Sequence, residues 1–156
     1  MNREVLKLSW DTINDLTDSL ARIVVKYPPQ QIVGITRGGA IPAVMLSHML
    51  VQLERGSSIP VRMIKASTYE GTRRTLQKPT ELEGVDALDL SKRTLFVDDL
   101  IDSGQTYKAI QKLWTNDHPR FAALINKNPE YHSRVGCTWI MSVAQTTWVQ
   151  FPWEAK

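Results

Sequence analysis

The sequence predicts an α/β protein with a central, mostly parallel sheet flanked by helices. Three observations lead there. Short runs of β-formers, "QIVGIT" (31–36), "PVRMIKAS" (60–67), "RTLFVDD" (93–99), "RFAALI" (120–125) and "TWIMSVA" (138–144), are separated by helical patterns. Two of those strands lead through small glycine-bearing turns directly into helices, the connection that parallel strands require. The chain has 156 residues, 42% of them hydrophobic, a size that buries roughly two-thirds of the unfolded surface and suits one domain over 1–156.

Trp10, Ile13, Leu16, Leu20, Ile23 and Val24 recur at three- and four-residue spacing. Ser9 precedes them and can cap free N–H groups, while Pro28-Pro29 follow and cannot continue a helix. After strand 31–36, "RGGA" (37–40) makes a tight turn into a helix with Pro42 in its first turn, running to about Leu53. That helix is apolar nearly all round, which predicts burial. Strand 60–67 follows. Residues 68–92, "TYEGTRRTLQKPTELEGVDALDLSK", are polar and carry Arg73, Arg74 and Lys78. Such a connection exceeds the roughly 12–15 residues of a passive loop, so it is either a disordered insert or a flexible lid. Beyond strand 93–99, "GQTYKAIQKLW" (104–114) is helical, with Tyr107, Ile110 and Leu113 or Trp114 on one face. No repeat, low-complexity tract or linker divides the chain.

The totals exclude several classes. Net charge is +3, with 19 basic residues scattered among 16 acids; nucleic acid is not implied, and small anionic ligands are open. Cys137 is the single cysteine, so neither an intrachain disulfide nor a cysteine metal site forms, and a packed strand residue is expected there. The start, "MNREVLKLSWD", has no apolar signal region, and no apolar stretch approaches the ~20 residues of a membrane span. A soluble, cytoplasmic protein without membrane insertion is expected. His48, His118 and His132 lack spaced partners and read as structural.

The chemistry gathers at "TLFVDDLIDSGQT" (94–106), where Asp98, Asp99 and Asp102 crowd a strand end and Ser103, Gly104 and Thr106 follow. Ligands of open α/β sheets collect beyond the carboxyl ends of strands. The amides of Asp102 through Thr106, with the Ser103 and Thr106 hydroxyls, suit a phosphate, and Gly104 permits close backbone approach. Asp98 and Asp99 only accept hydrogen bonds, which suits sugar hydroxyls or a Mg²⁺ shell.

This stretch resembles the phosphoribosyl-diphosphate (PRPP) binding motif of type I phosphoribosyltransferases: a hydrophobic strand, two acids, two apolar residues, then Asp, Ser or Thr, Gly, any residue, Thr. The resemblance widens to the bacterial xanthine-guanine branch through "SWD" (9–11), "ITRGGAIPA" (35–43), "ASTYEG" (66–71), "LINKNP" (124–129) and "TTWVQFPWE" (146–154). It implies the type I fold, with a small hood built from the chain termini (segment 145–156 binding the base) and a flexible lid at 68–92.

The resemblance further implies transfer of ribose 5-phosphate from PRPP to a 6-oxopurine (guanine, xanthine or hypoxanthine), a purine-salvage reaction that needs Mg²⁺. PRPP would be held by Arg37, Gly38, Gly39, Asp98, Asp99, Asp102, Ser103, Gly104, Gln105 and Thr106. Asp98 and Asp99 would hold the metal, and a non-proline cis peptide would lie at Thr36–Arg37. Asp102 would act as general base, and Arg73 and Arg74 would be catalytic lid residues. Lys127 would bind the purine's O6, Trp148 would stack on the base, and the backbone at Val149 would read its edge. Tyr69 would belong to the element after the third strand. A homo-oligomer, dimer or tetramer, would be formed. Gln150 and Phe151 depart from the acid and glutamine of the family pattern, members usually continue past the position of Lys156, and the segment between lid and "RTLFVDD" is longer than usual. The alternative on the same fold is a non-catalytic PRPP-sensing regulator; a nucleotide-binding domain of another kind finds neither G-x-x-x-x-G-K-[ST] nor G-x-G-x-x-G in the chain.

Overall fold

The computed structural model describes residues 4–54, 56, 58–67, 80–113, 120–128 and 136–154. Its elements run β1 (Val5–Lys7), α1 (Trp10–Val24), β2 (Gln31–Thr36), α2 (Ala40–Glu54), β3 (Val61–Ser67), β4 (Glu81–Glu83), β5 (Thr94–Ile101), α3 (Gln105–Gln111), β6 (Arg120–Asn126), β7 (Cys137–Ser142) and β8 (Trp148–Gln150). Six strands form one sheet in the order β4-β3-β2-β5-β6-β7, parallel except for β4. The expected sheet, with helices packed on both faces, is therefore present.

Its two faces bury separate cores. Ile13, Leu20 and Ala21 of α1 and Ala43, Leu46 and Leu50 of α2 pack with Ile32, Leu95, Val97, Ala122 and Leu124. Tyr107 and Ile110 of α3 pack with Val33, Phe96, Phe121 and Ala123 on the other face. The alternation of Leu95 and Val97 against Phe96 follows from the two-residue period of a strand. β5 and β6 are covered on both sides, which is why they read as nearly continuous apolar runs.

The caps follow the sequence. Ser9 Oγ accepts the Thr12 N–H at 3.1 Å, and Asp11 and Arg22 lie at the helix ends that favour their charges. Two members of the expected α1 stripe, Trp10 and Ile23, are instead exposed. They flank a stripe already filled by Ile13, Leu16, Leu20 and Val24. The expectation of full burial for α2 also fails: only its inner side meets the sheet and α1, leaving Val44 and Leu53 exposed. Strand β5 continues two residues beyond the expected end, because Leu100 and Ile101 keep pairing with Ile125 and Asn126.

The connection before β5 is ordered over 80–92. β4 pairs antiparallel with β3, and Lys65 Nζ lies 2.7 Å from Glu83 Oε1. A 3-10 turn at Val85–Ala87 leads to buried Leu88. Buried Gln31 donates to the Asp89 carbonyl at 2.8 Å and to Thr94 Oγ1 at 2.6 Å. The proposed lid core, with Arg73, Arg74, Lys78 and Tyr69, lies outside the described residues, as do Trp114, His118, His132 and Lys156.

A second, two-stranded sheet joins the ends of the chain. β1 and β8 run parallel in the register Leu6↔Val149. The Trp148 N–H donates to the Glu4 carbonyl at 2.8 Å and the Leu8 N–H to the Gln150 carbonyl at 2.9 Å. Thr147 Oγ1 donates to Glu4 Oε2 at 2.9 Å. This is the hood that the resemblance implied. Neither strand has enough residues to announce itself by periodicity.

Phe121, fully enclosed, meets Tyr107 edge-to-face with ring centroids 5.4 Å apart. It belongs to the core that joins the sheet to the short helix α3. Phe121→Ala is therefore expected to cost about 3–5 kcal/mol in urea unfolding; a loss below about 1 kcal/mol would mean that the site collapses freely around the missing ring.

Candidate functional site

β2 and β5 are neighbours, yet the helices that follow them cover opposite faces of the sheet, α2 on one and α3 on the other. The turns after the two strands consequently diverge and leave a crevice at their carboxyl ends. In open parallel sheets this topological switch point is where ligands bind.

The two turns touch at the bottom of the crevice. A side chain on Gly39 would run into the carbonyls of Val97 and Ile35 and the Cα of Asp98. One on Gly38 would occupy the place of the Asp99 carboxylate. Glycine is thus required at 39 for the turn to lie against the end of β5, and a side chain at 38 would displace the Asp99 carboxylate. The Gly39 N–H donates to the Ile35 carbonyl at 2.8 Å, and the Thr36–Arg37 peptide is cis, as expected from the resemblance. Arg37 itself is exposed at the rim.

On the other side of the crevice, the 102–104 bend leads into α3, with Gly104 at φ 74° in the left-handed region, where glycine carries no steric cost. Asp98, Ile101, residues 102–106 and Tyr107 line a common cleft. Asp98 and Asp99 are half-buried and side by side. Burial, and then the charge of Asp99, push the Asp98 carboxyl well above the ordinary carboxylate range. Burial also raises Asp99, and the Glu154 carboxylate adds to the rise. Hydrogen bonds oppose both shifts: the Asp99 N–H donates to Asp98 Oδ1 at 2.9 Å, and Asp99 is drawn down by its bonds with the Asp98 side chain and with backbone N–H groups, that of Leu100 among them.

Lys127 follows the last residue of β6 and is buried, its N–H donating to the Ile101 carbonyl at 2.9 Å. Its side chain is 4% exposed, and its ammonium lies 3.9 Å from Asp102 Oδ2. A solvated surface lysine would be neither so enclosed nor beside the bend after β5.

The phosphoribosyl transferase domain model matches residues 8–156. The chain belongs to the phosphoribosyl transferase family. Among its relatives, the xanthine-guanine phosphoribosyltransferase of Gluconobacter oxydans is 33% identical, over 94% of this chain and 83% of the relative. That of Roseobacter denitrificans is 30% identical, over 94% and 84%. The crystal structure of a purine phosphoribosyltransferase from Pyrococcus horikoshii superposes with a TM-score of 0.74 at 29% identity, covering 97% of this chain and 95% of that one.

Within this phosphoribosyltransferase, the structure brings together most of the residues singled out by sequence. Gly38 and Gly39 meet Asp98 and Asp99; Asp102 to Thr106 line the cleft; Lys127 faces Asp102. Trp148 and Val149 lie on the two-stranded sheet, Trp148 46% exposed and Val149 buried. Gln150 and Phe151 find a structural reading: Phe151 is buried and stacks on Trp153 at 4.8 Å, and Gln150 completes β8. Cys137 is a partly buried strand residue packed against the core, its thiol pushed up to about 12 by burial, which disfavours the thiolate.

Two residues near the site escaped the sequence reading. Glu154 lies close enough to Asp99 to raise its pKa, and its Oε2 accepts the Phe151 N–H at 3.1 Å. Asn126 is fully buried at the end of β6. A turn glutamate and a strand-end asparagine have no spacing signature; only the resemblance of "LINKNP" and "TTWVQFPWE", read beyond Lys127 and Trp148, pointed at their segments. Among the described residues no helix is long and apolar enough to cross a membrane.

The paired carboxylates make a testable demand on stability. A carboxyl whose pKa is raised by folding binds its proton more tightly in the folded state, so it favours folding fully below its ordinary pKa and loses that contribution as pH rises through the raised value. Asp98→Asn keeps an acceptor for the Asp99 N–H and removes one charge. Its melting temperature should exceed wild type at pH 8, by ~2–4 °C for each kcal/mol of relief, and the gain should shrink as the pH falls. A lower melting temperature at pH 8, or a gain independent of pH, would contradict the electrostatic account.

Proposed function

We propose that this phosphoribosyltransferase moves the ribose 5-phosphate of PRPP onto a ring nitrogen of a 6-oxopurine, releasing diphosphate. The observation that carries the reading is the buried Lys127 ammonium 3.9 Å from Asp102. It puts a fixed donor beside the bend that would seat the sugar phosphate. The names of the xanthine-guanine relatives support the same substrate class.

In the reaction, the bond from the anomeric carbon to the diphosphate oxygen breaks and a bond to the purine nitrogen forms, with positive charge developing on the sugar between the two events. The amides of Asp102 to Thr106, including Gly104 and Gln105, and the hydroxyls of Ser103 and Thr106 hold the 5-phosphate, fixing the sugar for attack. Arg37 and the amides of Gly38 and Gly39 grip the diphosphate, with charge-assisted donors where the leaving group gains charge. Asp98 and Asp99 accept from the ribose hydroxyls. Asp102 takes the proton that the purine's imidazole ring loses, as general base.

The donor set of Asp98 and Asp99 fits Mg²⁺, a hard cation that typically takes one or two carboxylates and completes its shell with water and phosphate oxygens. Their crowded negative charge favours a cation. When bound, Mg²⁺ supplies Lewis-acid stabilisation of the departing diphosphate.

Lys127 donates to O6, and adenine is rejected because its amino group would meet the ammonium donor to donor. Trp148, which presents an exposed aromatic face, stacks on the base while the Val149 backbone reads its edge. Arg73 and Arg74 of the 68–92 segment close over the sugar and exclude water that would otherwise capture it. The protein acts in purine salvage in the cytoplasm, as a homo-oligomer of the single unit 1–156.

The decisive assay mixes protein, Mg²⁺ and PRPP with guanine, xanthine, hypoxanthine or adenine and follows nucleoside monophosphate. Product is expected from a 6-oxopurine and not from adenine. PRPP binding without turnover on any base would overturn the enzyme and favour a sensor. Asp102→Ala is expected to lower kcat by about 10²–10⁴, whereas Lys127→Ala should raise the KM for the base and leave PRPP affinity near wild type. Equal losses of PRPP affinity in both variants would overturn this division of roles.

A further inference from the structure

Lys127 is aimed by its neighbour. β6 ends at Asn126, whose register partners are Ile101 of β5 and Ser142 of β7. Three interactions converge there. The Asn126 side-chain Oδ1 accepts the Asn128 N–H at 2.8 Å, closing a tight turn around Lys127. The Asn126 carbonyl accepts the Val143 N–H at 3.1 Å, holding the chain that leaves β7. The Lys127 N–H donates to the Ile101 carbonyl at 2.9 Å, one residue before Asp102. The turn is therefore tied to the same strand end that carries the phosphate-binding bend.

Stability alone does not account for this residue. The preceding positions of β6 are Ala123, Leu124 and Ile125, all buried and apolar. Asn126 is equally buried, and its Nδ2 has no hydrogen-bond partner among the described residues. A buried donor without a partner is a penalty that an apolar residue would avoid. What the amide supplies in return is the acceptor that shapes residues 126–128.

We propose that Asn126 is a positioning residue for base recognition: its Oδ1 fixes the 126–128 turn and so holds the Lys127 ammonium at the place where it meets the purine and Asp102. This rests on the function proposed above and extends it to a residue that acts through Lys127. Losing the turn lets the lysine stem sample other directions, which weakens base binding and the discrimination against adenine, while the PRPP seat on β5 stays intact.

Two substitutions of the same shape isolate the acceptor. Asn126→Thr retains an oxygen that can accept the Asn128 N–H, as threonine does in the corresponding turn. Asn126→Val has no acceptor. In steady-state assays with Mg²⁺ and PRPP, Asn126→Val should raise the KM for guanine about tenfold, the worth of one hydrogen bond, narrow the guanine-to-adenine ratio, and leave the KM for PRPP unchanged. Asn126→Thr should restore most of the base affinity. Placed on Lys127→Ala, Asn126→Val should add no further base defect, since it acts through that lysine. Asn128→Pro removes the donor of the same bond and should reproduce the Asn126→Val pattern, which keeps the test open if the valine variant does not fold.

Equal kinetics in the valine and threonine variants, a matched rise in the KM for PRPP, or full additivity with Lys127→Ala would each overturn the proposal. If wild-type protein turns over no base at all, the function proposed above fails first. Turnover on guanine with an unaltered Asn126→Val enzyme would sink the positioning role alone.

Discussion

Everything at the site depends on how closely the turn after β2 can approach the end of β5. The approach is a matter of missing atoms: any side chain at Gly39 meets backbone, and any at Gly38 meets the Asp99 carboxylate. Backbone cannot be displaced cheaply, so residue 39 has no alternative to glycine. Because β2 and β5 sit at the switch point, this contact also sets the width of the crevice between the helices that diverge from it. A larger residue there would move the 37–39 turn away from the two carboxylates and separate the groups proposed to hold diphosphate from those proposed to hold the sugar.

The same closeness has an electrostatic cost. Asp98 and Asp99 lie together where water is partly excluded, and the Glu154 carboxylate adds a small like-charge push on Asp99. Burial outweighs the hydrogen bonds that favour their charged forms, and the ligand hydroxyls or divalent cation of the proposed function would offset that cost. Across the bend the pattern reverses, with a buried ammonium beside an exposed carboxylate. The crevice thus carries an acidic half and a half in which Lys127 meets Asp102, which suits a substrate whose polar groups differ from end to end. Strain of this kind, tolerated at a site and offset by cores such as the Phe96, Phe121 and Tyr107 cluster, is the usual exchange of stability for function.

How much of this was legible in the sequence depends on range. The five main strands and the capped helix α1 follow from local periodicity and capping, and the structure contains them. The motif at 94–106 was legible because strand, acids and bend are contiguous. The hood was not legible from the residues themselves: β1 and β8 are three residues each, and parallel pairing across the length of the chain leaves no local trace. It entered only through resemblance. The outer face of α2 was misjudged because composition reports how apolar a helix is and not how many sides are covered. Asn126 was passed over for a related reason: its value lies in one hydrogen bond to a residue two positions on, and a strand-end asparagine before a lysine reads as ordinary turn chemistry.

The departures at Gln150 and Phe151 fall in a stretch that packing holds in place. Phe151 is enclosed, stacks on Trp153, and Trp153 in turn lies 5.8 Å from Trp10 at the start of α1. An aromatic chain therefore ties the hood to the main body, and Thr147 with Glu4 pins the far end of β8. Between these two fixings, Trp148 and Val149 have little freedom to shift along the strand. A polar residue at 151 would hydrogen-bond a ligand only by giving up that packing. Position 151 serves rigidity in this protein, so under the proposed function the backbone of β8 would read the substituent that differs among 6-oxopurines, while Lys127 would separate 6-oxopurines from adenine.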